Sequence, residues 1–233
     1  MSKAQSLAER LQKARVATLP QVADRAKRGL MAYIGAQSDA MQAVSDLADG
    51  KAATGIGRIG LSTVSPGGLA CAEGCAFCCI LSGDDGGTIT ESEAEALHEA
   101  LLPFAGQPDG REWHPKACPS LDPETRICRA YEARPTICRA YVSTDVAACE
   151  AVAKGQAVTG PGTLGPYHTY LAAIGLSRSA LKGSKRVATY ALARVAAAAV
   201  EGERLEAALT KARHKPSELD AELKRSKRDL SRS

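Results

Sequence analysis

The stretch that decides this chain is Cys71-Ala-Glu-Gly-Cys75-Ala-Phe-Cys78-Cys79, four cysteines in nine residues. The other four, Cys118, Cys128, Cys138 and Cys149, follow singly, and no cysteine lies in the first 70 residues or the last 84. Scattered core cysteines would not segregate in this way, so the middle of the chain reads as folded around something that thiolates hold. Soft sulfur ligands suit zinc or an iron–sulfur cluster, both of which accept four-sulfur surroundings. Short spacings let one loop supply three ligands while a distant segment delivers the fourth. The adjacent side chains of Cys78 and Cys79 point in different directions, which predicts two sites sharing the motif: two zinc ions, or a cluster plus an ion.

Two other readings start from the same residues. Positions 71, 75, 78 and 79 share one face of a helix, so they would fit a buried small-residue stripe. Gly74 and the glycine-rich approach to it oppose a helix there. The spacing also matches the cysteine motif of radical S-adenosylmethionine enzymes, but the residues that follow show little strand periodicity. A redox dithiol is the remaining alternative.

Working outward, the flanks read as helix. Leu7, Leu11 and Ala14 recur at helical spacing before a break at Pro20; a second helix is expected over about 21–34 and a third over about 39–47. The glycines at 50, 55, 57, 60, 67, 68 and 74 predict irregular, turning backbone from Gly50 to Cys79. Gly57-Arg-Ile-Gly60 lacks the Gly-Lys-Ser/Thr ending of a phosphate loop. Thr90-Glu-Ser-Glu93 is a capping box that should start a helix running to about Leu102. Residues 107–139, rich in proline and polar side chains, must draw their order from something other than regular packing. Val187 to Arg213 reads as one long alanine-rich helix, with Pro216 ending it and Ser217 capping a short final one. The expected architecture is therefore mainly α, a helical domain around an irregular, cysteine-rich metal-binding core with few or no strands. Its parts are a helical extension (1–50), a cysteine-cluster domain (51–150), a helical region (151–220) and a basic, disordered tail (221–233).

Composition narrows the class further. The chain has 233 residues, enough to bury a real core, and is 45% apolar but only 4% aromatic, which favours closely packed alanine-rich helices over large aromatic pockets. A formal charge of +4 does not require a nucleic-acid partner. The amino terminus lacks the uninterrupted apolar stretch of a signal peptide, and no run of about eighteen apolar residues suggests a membrane span. The expectation is a cytoplasmic protein, in which cysteines serve as metal ligands rather than disulfides.

The second half of the cysteine set carries a resemblance. Cys118-Pro-Ser-Leu121, then Cys128-Arg-Ala-Tyr131-Glu132-Ala-Arg134-Pro135-Thr-Ile-Cys138-Arg139, together with the CxxxCxxCC run, resembles the YkgJ-type cysteine-cluster family over roughly Leu69 to Cys149. The resemblance implies chelation of zinc or iron, and it extends to flagellin lysine N-methylases, which leaves a metal- or cluster-dependent enzyme as the alternative function. The family pattern falls on Cys71, Cys75, Cys78, Cys79, Cys118, Cys128 and Cys138, with Tyr131, Glu132, Arg134, Pro135 and Arg139 as its other signature residues. Cys149 lies at the edge of that pattern and completes the candidate ligand set. Pro135 is expected to stiffen the approach to Cys138. Arg134 and Arg139 are expected either to neutralise thiolate charge or to pair with Glu132. His114 is read as packing or surface rather than a ligand, His98 and His214 are given no role, and His168, after Gly165-Pro166, is a weaker candidate to reach the centre.

Overall fold

A computed structural model describes residues 3–81 and 85–231. The amino-terminal pattern folds as α1 (Lys3–Lys13), α2 (Pro20–Ala36) and α3 (Ala40–Ala48). Pro20 sits in the first turn of α2, where its missing N–H costs no helical hydrogen bond. Val22, Ala26, Leu30 and Ile34 repeat every fourth residue and form the buried stripe of α2. Asp39 caps α3 by accepting from the Met41 N–H.

The segment after Gly50 departs from expectation, for it is a helix, α4 (Lys51–Ser62). Its glycines mark a close crossing rather than turns. A Cβ on Gly57 would lie 2.9 Å from Thr136 Cγ2 and 3.1 Å from Tyr170 Cβ, and one on Gly60 would lie 2.9 Å from Pro166 Cβ. The backbone of α4 thus touches its neighbours directly, a contact only a residue without a side chain permits. Gly55 in the same helix faces no atom within 4 Å.

The capping box at Thr90 is present in full, and α5 (Glu91–Leu101) follows it. Three short helices build the cysteine region, α6 (Gly110–Trp113), α7 (Thr136–Ala140) and α8 (Val146–Ala153), and the long α9 (Gly165–Ala180) lies beyond them. Strand structure among the described residues is confined to two antiparallel pairs. β1 (Thr88–Ile89) pairs with β4 (Tyr190–Ala191), and β2 (Tyr141–Val142) pairs with β3 (Gly162–Thr163). The protein is mainly α with few strands, as the sequence implies.

The alanine-rich run Val187–Arg213 is not one helix. Tyr190 and Ala191 are claimed by the pairing with Ile89 and Thr88, a tertiary contact that overrides alanine's helix preference. The chain then forms α10 (Leu192–Val200) and α11 (Leu205–Ala212). Gly202, at φ 75°, ends α10 as the 202 and 203 N–H groups return to the carbonyls of Ala199 and Ala198. Residues 221–230, expected as a disordered basic tail, belong to α12 (Pro216–Leu230). The expected cap at Ser217 is replaced by Pro216 in the first turn, with Lys215 at the cap position and no side-chain bond there. Leu219 and Leu223 hold α12 down by burying one stripe beneath its charged face.

Two large apolar clusters result, with a small third of Ala76, Ala117 and Leu121 beside Cys79 and Cys128. The first joins α1 to α4 with α9 and α12, and α9 runs through its middle with twelve of sixteen residues buried. The second gathers α5, α10 and α11 with β1 and β4, and the cysteine segments pack onto it.

Candidate metal centre

All eight cysteines line one cavity of about 1000 Å³. They arrive there from the loop 71–79, from 118 and 128, from α7 and from α8, so widely separated sequence converges on one space. All eight are free thiols.

The 71–79 loop is irregular rather than helical, which removes the helix-face reading. Gly74 turns it at φ 74°, and a Cβ there would stand 3.0 Å from the Thr125 carbonyl oxygen. Ala76 also adopts positive φ, 53°, before a single 3-10 turn over Phe77–Cys79. The chain leaving Cys79 pairs with the Cys118 segment: the Cys118 N–H donates to the Cys79 carbonyl at 2.8 Å, and the Leu81 N–H to the Lys116 carbonyl at 2.8 Å. A second pairing sets Cys128 opposite Leu121, with the Arg129 N–H donating to the Ser120 carbonyl at 2.8 Å. Asp122 closes the turn between them by accepting from the Thr125 N–H and hydroxyl, both at 2.9 Å, and by pairing with Arg129 at 3.0 Å. The order of this proline- and polar-rich region therefore comes from short pairings and side-chain-closed turns.

Cys138 sits on α7, whose amino end is held by a residue the sequence reading saw only as a helix cap. Glu93 is buried, and its carboxylate accepts from the Thr136 N–H at 2.7 Å, the Thr136 hydroxyl at 2.6 Å, the Thr90 N–H at 3.2 Å and the Tyr170 hydroxyl at 2.5 Å. The capping box accounts for Glu93 Oε2; nothing local in the sequence announces that Oε1 anchors the turn two residues before Cys138. Cys149 lies on α8, capped by Asp145 through the Ala147 N–H at 2.8 Å. The Cys71 thiol contacts the Ser143 carbonyl at 3.8 Å, tying the start of the loop to the approach to α8.

The signature residues divide by role. Arg134 lies over the Tyr131 ring, 3.6 Å from its centroid, and its charge helps favour the Cys78 thiolate. Arg139 instead clamps backbone, donating to the carbonyls of Arg134 at 2.8 Å and Glu132 at 2.5 Å. The expected ion pair of Arg134 or Arg139 with Glu132 is not formed among the described residues. Pro135 holds the extended position before α7, as expected.

Electrostatics separates the thiols. Cys78 is pulled down to about 7, chiefly by the Cys79 thiol donating to it across 4.0 Å, against the opposing effect of burial. The same bond, then burial, pushes Cys79 well up. Burial pushes Cys118 up, Cys128 up to about 11, and Cys138 well up, the last two also through neighbouring cysteines. Burial thus disfavours the thiolate form at Cys79, Cys118, Cys128 and Cys138, and a bound cation would supply compensating charge.

Of the four histidines, His114, His168 and His214 line the cavity and His98 does not. His98 Nε2 meets the Glu203 carbonyl at 2.8 Å, and His168 Nδ1 meets the Ser226 hydroxyl at 2.6 Å. His114 Nδ1 accepts from the Lys116 N–H at 3.2 Å at the cavity edge. His214 differs: both ring nitrogens are buried without a hydrogen-bond partner, 3.6 Å from Asp85 at the nearest.

The eight thiols fit zinc or an iron–sulfur cluster, being convergent and mostly partly buried, and His114, His168 and His214 line the same cavity. Among the described residues no three Cys, His, Asp or Glu side chains are already drawn into an ion's ligand shell; the thiols surround a common space. No described helix is long and apolar enough to cross a membrane.

Comparison with protein families finds a match in the cysteine region. Residues 70–157 fit the family model CxxCxxCC, described as "Putative zinc- or iron-chelating domain". No curated protein and no solved structure matches the chain. The matched span contains every cysteine, and over it this chain is similar to that putative zinc- or iron-chelating domain.

Proposed function

We propose that this is a metal-binding protein of a reducing, cytoplasmic compartment, whose Cys71, Cys75, Cys78, Cys79, Cys118, Cys128, Cys138 and Cys149 hold zinc or an iron–sulfur cluster. The observation that carries the reading is the convergence of all eight thiols, from separate segments, on one cavity. Bound metal would supply the positive charge that lets buried thiols ionise, and four-thiolate zinc contributes its binding energy directly to folding. The chain's own part is to set the thiols. The 79/118 and 121/128 pairings fix two segments, Glu93 fixes α7, and Asp145 fixes α8. Arg134 offsets negative charge on the open side.

The test is anaerobic purification followed by a visible spectrum and determination of zinc, iron and sulfide per chain. Colourless protein with stoichiometric zinc supports a structural ion; brown protein with iron and labile sulfide supports a cluster. Protein that folds with all eight thiols titratable and neither metal present refutes the proposal.

A further inference from the structure

Cys78 and Cys79 are in contact, their sulfurs 4.0 Å apart, but Cys78 is exposed while Cys79 is partly buried. Cys79 packs onto the second apolar cluster together with Cys118, Cys128 and Cys138, against α5, α10 and β1. Cys78 is exposed, as is Cys71, and neither they nor Cys75 and Cys149 join that cluster. Cys71 is tied to Ser143 just before α8, and α8, which carries Cys149, packs on the 3-10 turn that carries both Cys78 and Cys79.

We propose that the eight thiols form two adjacent centres: an inner one of Cys79, Cys118, Cys128 and Cys138 packed on the apolar cluster, and an outer one of Cys71, Cys75, Cys78 and Cys149, of which Cys71 and Cys78 are exposed. The proposal rests on the metal-binding reading above and assigns its ligands. Eight thiols at four per centre make two centres. The 4.0 Å between the two vicinal sulfurs makes the centres neighbours. The inner thiols sit on short pairings and on α7, which is pinned from the helical core through Glu93. The outer ones sit on a loop with two positive-φ turns and on the edge helix α8. The division implies different chemistry. Metal in the inner centre sits against the apolar cluster and crosslinks the fold, whereas metal in the outer centre is reachable by water, chelators and competing thiols. The outer centre is therefore a site for an exchangeable thiophilic cation such as Zn²⁺.

The experiment is chelator competition on the anaerobically purified full chain, following zinc and iron release with a chromogenic chelator. The expected release has two phases of equal amplitude, with rates at least about tenfold apart, a gap of about 1.4 kcal/mol in barrier. Cys71→Ser/Cys149→Ser, and separately Cys78→Ser, should lose only the fast phase, halve the metal content and keep the melting temperature. Cys128→Ser should lose the slow phase; if it fails to fold, the outer variants decide alone. Single-phase release, or loss of all metal from an outer variant, overturns the division while leaving metal binding intact. Wild-type protein free of metal overturns the parent reading instead.

Discussion

The glycines of α4 make opposite predictions two residues apart. Alanine is about 1 kcal/mol better than glycine inside a helix, so Gly55→Ala, with nothing within 4 Å of its new methyl group, should stabilise by about that amount. Gly57→Ala gains the same propensity but thrusts a methyl to 2.9 Å from Thr136 Cγ2 and 3.1 Å from Tyr170 Cβ. Neither neighbour can yield. Thr136 is held through both its N–H and its hydroxyl by Glu93, and Tyr170 is fully buried with its hydroxyl on the same carboxylate. Overpacking costs about 1–3 kcal/mol, and a clamped neighbour puts this site at the upper end, so the net loss is about 1–2 kcal/mol. Urea unfolding followed by circular dichroism should move the midpoint up by about 0.5 M for Gly55→Ala and down by about 0.5–1 M for Gly57→Ala, taking a slope of about 2 kcal/mol/M. Adding Thr136→Ser, which removes the clashing methyl and keeps the hydroxyl, should recover part of the loss. If Gly57→Ala stabilises as much as Gly55→Ala, α4 does not approach α7 and α9 as described.

Other outcomes follow from single contacts. Glu93→Gln leaves at least one of five donors facing an amide N–H₂ group in a buried site, and loss of charged hydrogen bonds of about 1.5–3 kcal/mol each should lower stability by about 2–4 kcal/mol in the same urea assay. Leu219→Ala should cost about 2–4 kcal/mol if α12 is packed as described, and nothing if residues past 216 are a loose tail. Burial holds His168 and His214 below the usual imidazole range, outweighing Asp229 for the first and Asp85, Glu218 and Glu222 for the second. The unfolded chain therefore takes up protons first, and stability should fall as pH drops below about 6.5. His214→Gln should flatten the decline in melting temperature between about pH 7 and 5.5, and an unchanged slope would remove His214 from the account.

What the sequence made legible had local causes. The stripe of α2, the proline that starts it and the Thr90 capping box are written within a turn or two of the residues they shape. The cysteines announced their common purpose by crowding. What escaped was set at a distance. Gly57 and Gly60 look like turn formers until Thr136, Tyr170 and Pro166, more than seventy residues away, show what their missing side chains admit. Tyr190 and Ala191 leave an alanine-rich run because Ile89 and Thr88 pair with them. Leu219 and Leu223 are sparse among charges, so α12 read as solvated tail. Glu93 was visible as a cap, yet its grip on Thr136 joins segments 43 residues apart.

The two large apolar clusters are threaded rather than strung in series. The chain builds α1–α4 in the first, crosses to the second with α5, returns with α9, crosses again with α10 and α11, and finishes in the first with α12. No single cut separates them. The span 70–157 that fits the family model brings α5 but not α10 and α11, so Leu97, Leu101 and Cys118 would lose Val195, Ala196 and Ala199 as their cover. In this protein the cysteine domain is thus not an excisable module: its packing is completed by residues that arrive some forty positions after it ends.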